Sequence, residues 1–314
     1  MLRNMEYVYA VFKAGSFSAA AEKLYLTQPC LSAMVKKAEE QLGVPIFDRK
    51  TKPLALTEYG VKYIEYIEKM QKLESEFEQY LNDVRGLKTG NVFIGANNVL
   101  ASYVLPEMIR GFAGLYPGVQ VQMTEGNIKY LEDALLRGSV DMILDNCPMD
   151  KEEYEQILLG NEHLLLAVHK SLAKEKGFAV SGFTSEEIIA KRHLKNEKPA
   201  VKIKEMANLP FIALREGNDT RYRLDKLFCF QDEKAQILME VDQLATAYNI
   251  ACSGLGATLV SDTLLNKASP NDDLIFCPID SAVATRGIYL YFKRSRYVTL
   301  AMEKFISSAR EYFE

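Results

Sequence analysis

The amino-acid sequence predicts a multidomain chain with an all-α, winged helix-turn-helix N-terminal domain, a long linker helix and a two-lobed α/β effector domain. Three observations predict it. Short apolar-faced helices punctuated by glycine fill the first sixty residues, and a proline-free stretch with 4-3 apolar spacing runs from Thr57 to about Gly86. Beyond it, strand and helix patterns alternate to the end. The expected boundaries are 1–58 for the first domain, 59–88 for the dimerising linker and 89–314 for the last, with lobe I at about 89–160 and 268–314 and lobe II at about 161–267.

In the first domain, Met5, Val8 and Phe12 share one helical face, and Gly15 follows as a C-cap. Ser16 and Ser18 offer caps for a second helix, whose Ala19, Ala20, Ala21 and Leu24 let a neighbour pack closely. Thr27 can cap a third helix, with Pro29 in the first turn, where its missing N–H costs little, and Gly43 at the end. At about 100° per residue, Leu31, Val35, Ala38 and Leu42 fall on one side; Pro29, Ser32, Ala33, Lys36 and Lys37 spread over the other. One face packs and the other is free. That free face is uncharged at its tip and basic behind, which suits base edges followed by phosphates. Asp48 to Pro53, with Arg49, Lys50 and Lys52, form a basic turn before Leu54, Ala55 and Leu56 and read as a wing for a phosphate backbone or minor groove. An ordinary solvated face accounts for any one of these residues alone, but not for the combination.

The runs Gly15-Ser16-Phe17-Ser18-Ala19-Ala20-Ala21-Glu22-Lys23-Leu24, Thr27-Gln28-Pro29-Cys30-Leu31-Ser32, Leu42-Gly43-Val44-Pro45-Ile46-Phe47-Asp48-Arg49 and Leu56-Thr57-Glu58-Tyr59-Gly60 together resemble the DNA-binding domain of LysR-type transcriptional regulators. The resemblance implies a recognition helix beginning at Thr27 or Gln28 that enters the major groove. It places Gln28, Pro29, Ser32, Ala33 and Lys36 toward DNA and Arg49, Lys50 and Lys52 on the wing. Ser16, Ser18 and Thr27 complete the expected DNA-binding set. Cys30 and Met34 stand where the family often has Ala and Gln, so no base contact is carried over to Met34.

In the linker, Tyr63, Ile67, Met70, Phe77, Leu81 and Val84 form the apolar seam, interrupted at Glu74 and helped by Leu73. An isolated seam of this kind wants a partner. In the family this segment resembles the dimerising helix, so self-association as a dimer or tetramer is expected, on a DNA site of roughly two-fold symmetry.

Arg85 to Gly90 reads as a hinge, after which the order is β-α-β-α-β, with strands at Val92 to Ala96, Val119 to Met123 and Val140 to Leu144. A second α/β set starts at Phe211, and Val298 to Phe313 reads as a closing helix. Such alternation argues for a parallel sheet with a ligand crevice at strand ends, and two lobes make a cleft. This part resembles the LysR-type effector domain, a relative of periplasmic binding proteins, through looser motifs such as Tyr116-Pro117-Gly118-Val119 and Gly254-Leu255-Gly256. Loops after strand ends and at helix N-termini supply the effector-binding candidates: Asn97, Asn98, Val99, Ser102, Glu125, Asn127, Asp145 and Asn146 in one lobe, and Asn218, Thr220 and Arg221 in the other. Arg221 is the candidate partner for a carboxylate, so an anionic effector is expected. The charged stretch from Lys174 to Asn208 reads as a surface excursion.

Other chemistries find little support. Gly254-Leu255-Gly256 lacks the third glycine and following acid of a dinucleotide fingerprint, no GxSxG or Walker A motif occurs, and the chain is not expected to be an enzyme. The five cysteines form no CxxC pair, and the three histidines are not flanked by them at metal-ligand spacing, so neither metal nor cofactor is expected. The formal net charge of -4 argues against a chain coated in nucleic acid, although residues 1–60 carry eight Lys/Arg against six Asp/Glu. A transport-type binding protein would account for the sensor half but not for the reading head, and it would carry a signal peptide, which the first residues do not resemble. The expected location is the cytoplasm. The expected partners are promoter DNA, a small-molecule effector and further copies of the chain, with RNA polymerase a further one.

Overall fold

A computed structural model describes residues 4–48, 51, 53–84, 90–178, 181–195, 197–229 and 234–314. The chain divides into two compact units, Met1–Leu81 and Asn82–Glu314.

The first unit opens with three helices, α1 (Met5–Ala14), α2 (Phe17–Lys23) and α3 (Gln28–Leu42). Gly15 and Gly43 close α1 and α3 at φ +67° and +75°, a left-handed turn that glycine enters without a Cβ clash. Ser16 caps α2, its hydroxyl oxygen accepting the Ala19 N–H at 3.2 Å. Thr27 takes the extended N-cap conformation ahead of α3, but its hydroxyl makes no capping bond. Val8 and Val11, Ala20 and Ala21, and Leu31, Val35 and Ala38 meet in one core with Ile46 and Phe47. Each fully buried Val or Leu there contributes roughly 1.5–3 kcal/mol. Strands β1 (Phe47–Asp48) and β2 (Ala55–Leu56) pair antiparallel, Phe47 opposite Leu56, and form the stem of the expected wing. The wing cations Arg49, Lys50 and Lys52 lie outside the described residues.

Helix α4 (Glu58–Val84) has 27 residues, about 40 Å at 1.5 Å per residue. Its first turns do not form an outward seam. Tyr63, Ile64 and Ile67 are buried in the core of the first unit, which corrects the expectation that Tyr63 and Ile67 face a partner: three helices of this size leave an open apolar side, and α4 covers it.

The second unit begins with β3 (Gly90–Ala96), α5 (Asn98–Tyr103), α6 (Leu105–Leu115), β4 (Val119–Glu125), α7 (Ile128–Arg137) and β5 (Met142–Asp145). The long β6 (Tyr154–His169) then leads to α8 (Lys170–Glu175), α9 (Ser185–Ile189), α10 (Ile203–Met206), β7 (Pro210–Leu214), α11 (Asp219–Cys229), β8 (Gln236–Val241) and α12 (Leu244–Cys252). The chain finishes with β9 (Thr258–Ser261), α13 (Asp262–Leu265), β10 (Leu274–Pro278), β11 (Thr285–Lys293) and α14 (Leu300–Phe313). One sheet runs in the order β10-β6-β11-β5-β3-β4, with β9 also on β6. As expected, β3 is parallel to β4 and β5, whereas β6 and β11 are antiparallel partners, from Thr285 opposite His163 to Lys293 opposite Tyr154. The register slips between Ile288 and Tyr289, leaving Leu159 unopposed.

The cores follow this division. In the first lobe, Ile94, Met142, Leu144 and Leu290 pack against Phe112 of α6 and Met302 and Phe305 of α14. The second lobe is built on β6 from Leu164 onward, with Phe211, Phe228, Leu244 and Phe276 among its buried residues. Leu274, Phe276, Cys277 and Ile279 belong to that second core, so the chain returns to the first lobe at β11 and not near residue 268. The stretch from Lys174 to Asn208 is likewise more than a surface excursion. Phe183, Ile188, Val201, Ile203 and Met206 are buried, and Phe183 and Val201 bridge to Phe276 and Ile279.

Candidate functional site

The reading head is assembled by a few side chains that tie α3 to the wing. Glu39 Oε1, on α3, accepts the backbone N–H groups of Ile46 and Phe47 at 2.8 and 3.2 Å. The Thr57 hydroxyl donates to the Pro45 carbonyl at 2.7 Å and accepts the Gly60 N–H at 2.9 Å, which fixes the start of α4 against the wing stem. Glycine is required at position 60, because a Cβ there would meet the Ile46 carbonyl oxygen at 2.0 Å. Around this frame Ser18, Thr27, Gln28, Pro29, Ala33 and Lys36 are exposed, while Ser16 and Ser32 are half-buried. Lys36 lies 3.7 Å from Glu40, an exposed pair that water screens and a phosphate can break. Sequence reasoning missed Tyr25. It is 97% exposed at φ +54°, in the turn between α2 and α3, where an aromatic ring so placed has no packing role.

Farther along α4, Met70 is half-buried, and Leu73, Phe77 and Leu81 are 60%, 61% and 39% exposed. These three fall at i, i+4 and i+8 on one helix side. The side chain of Val84 lies outside what is described.

The second site is the cleft between the lobes of the sensor unit, a pocket open to solvent. Asn97, Asn98, Val99, Asn127, Asp145, Asn146, Asn218 and Thr220 all line it, and Glu125 lines its outer part. Side-chain amides dominate. Asn97 and Asn127 cap α5 and α7 by accepting the Leu100 and Tyr130 N–H groups at 3.1 and 2.9 Å. Asn98 donates to Glu125 at 2.8 Å, Asn146 donates to the Gly287 carbonyl at 3.1 Å, and Asn218 accepts the Thr220 N–H at 2.9 Å. Helices α7, α11 and α12 begin at the cleft, so partial positive charge converges there from both lobes.

Two expectations fail. Ser102 is exposed on α5 and does not line the cleft. Arg221 points away from it: its guanidinium donates to Asp225 at 3.0 Å, to the Leu214 carbonyl at 3.1 Å and to Glu240 on β8. One residue along a helix turns the side chain by about 100°, which separates Arg221 from Thr220. The arginine in the cleft is Arg286, on β11. It donates to Glu162 at 2.6 Å, to Asp219 at 2.7 Å and to the Thr220 hydroxyl at 3.1 Å; Asp219 also accepts from Arg223 at 2.7 Å. Burial disfavours the Arg286 charge, but Glu162 and Asp219 outweigh that and hold the guanidinium more basic than usual. Nothing local in the sequence pairs Arg286 with Glu162, and Cys147, Gln243 and Leu244 also line the cleft without having been anticipated.

Asp145 lines the cleft and is almost fully buried. Burial pushes its carboxyl up to about 6, against the opposing pull of the Cys147 N–H bond at 2.8 Å, Asn97 and Arg286. Between about pH 4 and 6 the folded chain therefore keeps a proton that the unfolded chain has released, and stability falls as pH rises through that window. Asp145→Asn is expected to remove this slope in urea unfolding measured from pH 4 to 8 and to be more stable than the parent above pH 6. An unchanged slope would refute the assignment.

Comparison with known proteins places both sites in a wider setting. Residues 2–61 match the family described as bacterial regulatory helix-turn-helix protein, lysR family, and residues 85–314 match the LysR substrate binding domain. The chain is 28% identical over 316 residues to the uncharacterized HTH-type transcriptional regulator YcgK of Bacillus subtilis (strain 168), covering 99% of this chain and 94% of that protein. It is 29% identical over 309 residues to a probable RuBisCO transcriptional regulator of Trichormus variabilis, covering 97% and 86%. Among solved structures, CbnR complexed with its target DNA superposes with a TM-score of 0.71 at 20% identity, covering 99% of each chain. A cysteine-to-aspartate variant of full-length OxyR from Pseudomonas aeruginosa gives 0.64 at 21% identity, covering 100% and 94%.

Proposed function

This chain belongs to the LysR family of bacterial helix-turn-helix transcriptional regulators, and from that premise we propose how its parts share the task. It is a DNA-binding regulator with an effector domain, not an enzyme. In the reading proposed here, α3 enters the major groove, its uncharged tip reading bases while Lys36 and the wing cations hold phosphate. The observation that carries this is the exposed row Gln28, Pro29, Ala33 and Lys36 beside a paired wing stem. Gln28→Ala is expected to relax preference at one base step by roughly 1–3 kcal/mol. Lys50→Ala should weaken binding to all sequences alike and lower the salt slope by about 1. Titrations on selected and random duplexes over a salt series check both, and identical behaviour of the two variants would end this division of labour.

Self-association is assigned to the outer turns of α4. Phe77→Asp is expected to yield monomers in sedimentation, with weak DNA binding, because a carboxylate at a paired apolar seam is buried without a partner. A dimer of parental strength would move the interface elsewhere. The effector is read as a small polar molecule in the cleft, bound by the amide side chains, with its anionic group on the N–H groups at the helix starts. Arg286 already holds Glu162 and Asp219, so its role is to support the wall and not to take the ligand's charge. Effector binding shifts the population of lobe arrangements and so changes DNA occupancy, with RNA polymerase as the further partner. No described helix is long and apolar enough to cross a membrane, and the proposed location is the cytoplasm.

A further inference from the structure

The chain has three histidines, and two of them meet. His163 lies on β6, His193 in the 3-10 turn Arg192–Lys195, and Asp262 at the start of α13. Asp262 Oδ2 is 3.0 Å from His163 Nδ1 and 3.1 Å from His193 Nε2, and Asp262 Oδ1 accepts the His163 backbone N–H at 3.0 Å. The ligating atoms of all three lie within 4.8 Å of one another. His193 and Asp262 are buried; the His163 side chain is about one-third exposed and gives access from solvent. A solvent-open pocket, lined also by Asn161, Lys191 and Tyr312, reaches the cluster.

We propose that His163, His193 and Asp262 form a binding site for a transition-metal dication of the zinc class. Two imidazole nitrogens and one carboxylate oxygen are a donor set that such borderline ions favour, and three protein ligands leave a fourth position for water from the pocket. Tetrahedral bonds of roughly 2.0–2.1 Å place ligands about 3.3 Å apart, so the separations of 3.0 and 3.1 Å from Asp262 need little adjustment, and the two ring nitrogens, within 4.8 Å of each other, draw in on the ion. The ion replaces the protons through which the two rings now face the carboxylate. Magnesium does not suit the site, because it favours oxygen donors and retains its waters. His193 Nδ1 is buried with no partner among the described residues. Metal on Nε2 puts the ring proton on that nitrogen, where no outer acceptor helps, so binding is weaker by about 10–100-fold than in a site with such support, and reversible.

The test uses the full chain, stripped of metal with a chelator and titrated with zinc chloride or magnesium chloride in competition with a chromogenic zinc chelator. One zinc per chain is expected for the parent and for His169→Ala, with at least tenfold weaker binding in His163→Ala and His193→Ala and no binding of magnesium. Absence of zinc binding by the parent, parental affinity in folded His163→Ala, or loss of zinc in His169→Ala would each overturn the proposal. Should His193→Ala fail to fold by circular dichroism, the more exposed His163 decides the matter alone.

Discussion

Arg286→Met is expected to destabilise the sensor unit by about 3–5 kcal/mol, the range for removing one partner of a buried ion pair. The cause is what it leaves behind. Glu162 is 0% exposed, its Oε2 is held by Arg286 at 2.6 Å, and its Oε1 has no partner among the described residues. Without the guanidinium, a carboxylate sits in a low-dielectric wall with no counter-charge, whereas Asp219 keeps Arg223. Adding Glu162→Gln to Arg286→Met removes the stranded charge and should recover more than half of the loss. Urea unfolding of the parent, the single variant and the double variant measures this. A single-variant loss under about 1 kcal/mol, or no recovery in the double, would show that the pair does not support the cleft wall.

The second large effect is expected at Gly60. Alanine there drives a Cβ to 2.0 Å from the Ile46 carbonyl oxygen, which also accepts the Thr57 N–H at 2.9 Å, so neither α4 nor the wing stem can move away without losing that bond. Overpacking costs typically about 1–3 kcal/mol, and a backbone atom as the obstacle places this case at or above the top of that range. Hydrogen exchange followed by mass spectrometry should show faster exchange across residues 5–67 of Gly60→Ala and unchanged protection across 92–144, with DNA binding lost. Parental protection in the first segment would mean that the helix start adjusts freely.

What the sequence made legible was local. The faces of α1 and α3, the glycine caps and the alternating strands of the first lobe follow from spacing within one or two turns, and the structure has them where spacing put them. The cleft asparagines were equally accessible, because a residue that follows a strand and opens a helix is placed by those two elements alone. Failures arose where a distant element decides. Tyr63 and Ile67 share the helical stripe of Phe77, and only the core beneath the first turns of α4 separates them. Arg221 stands beside Thr220 in the chain but faces β8. The length of β6 was hidden because Leu164 to Val168 is a continuous apolar run buried on both sides, without alternation. His163 and His193, thirty positions apart, and Asp262 further on carry no spacing signal, since three separate elements bring them together.

The paired β6 and β11 strands carry one more consequence. A ladder nine residue pairs long resists sliding, and the extra residue at Leu159 bends the ribbon and adds to its local twist. The two lobes therefore share one unbroken strand, Tyr154–His169, whose first half is tied pair by pair to its neighbour and whose second half enters the other core.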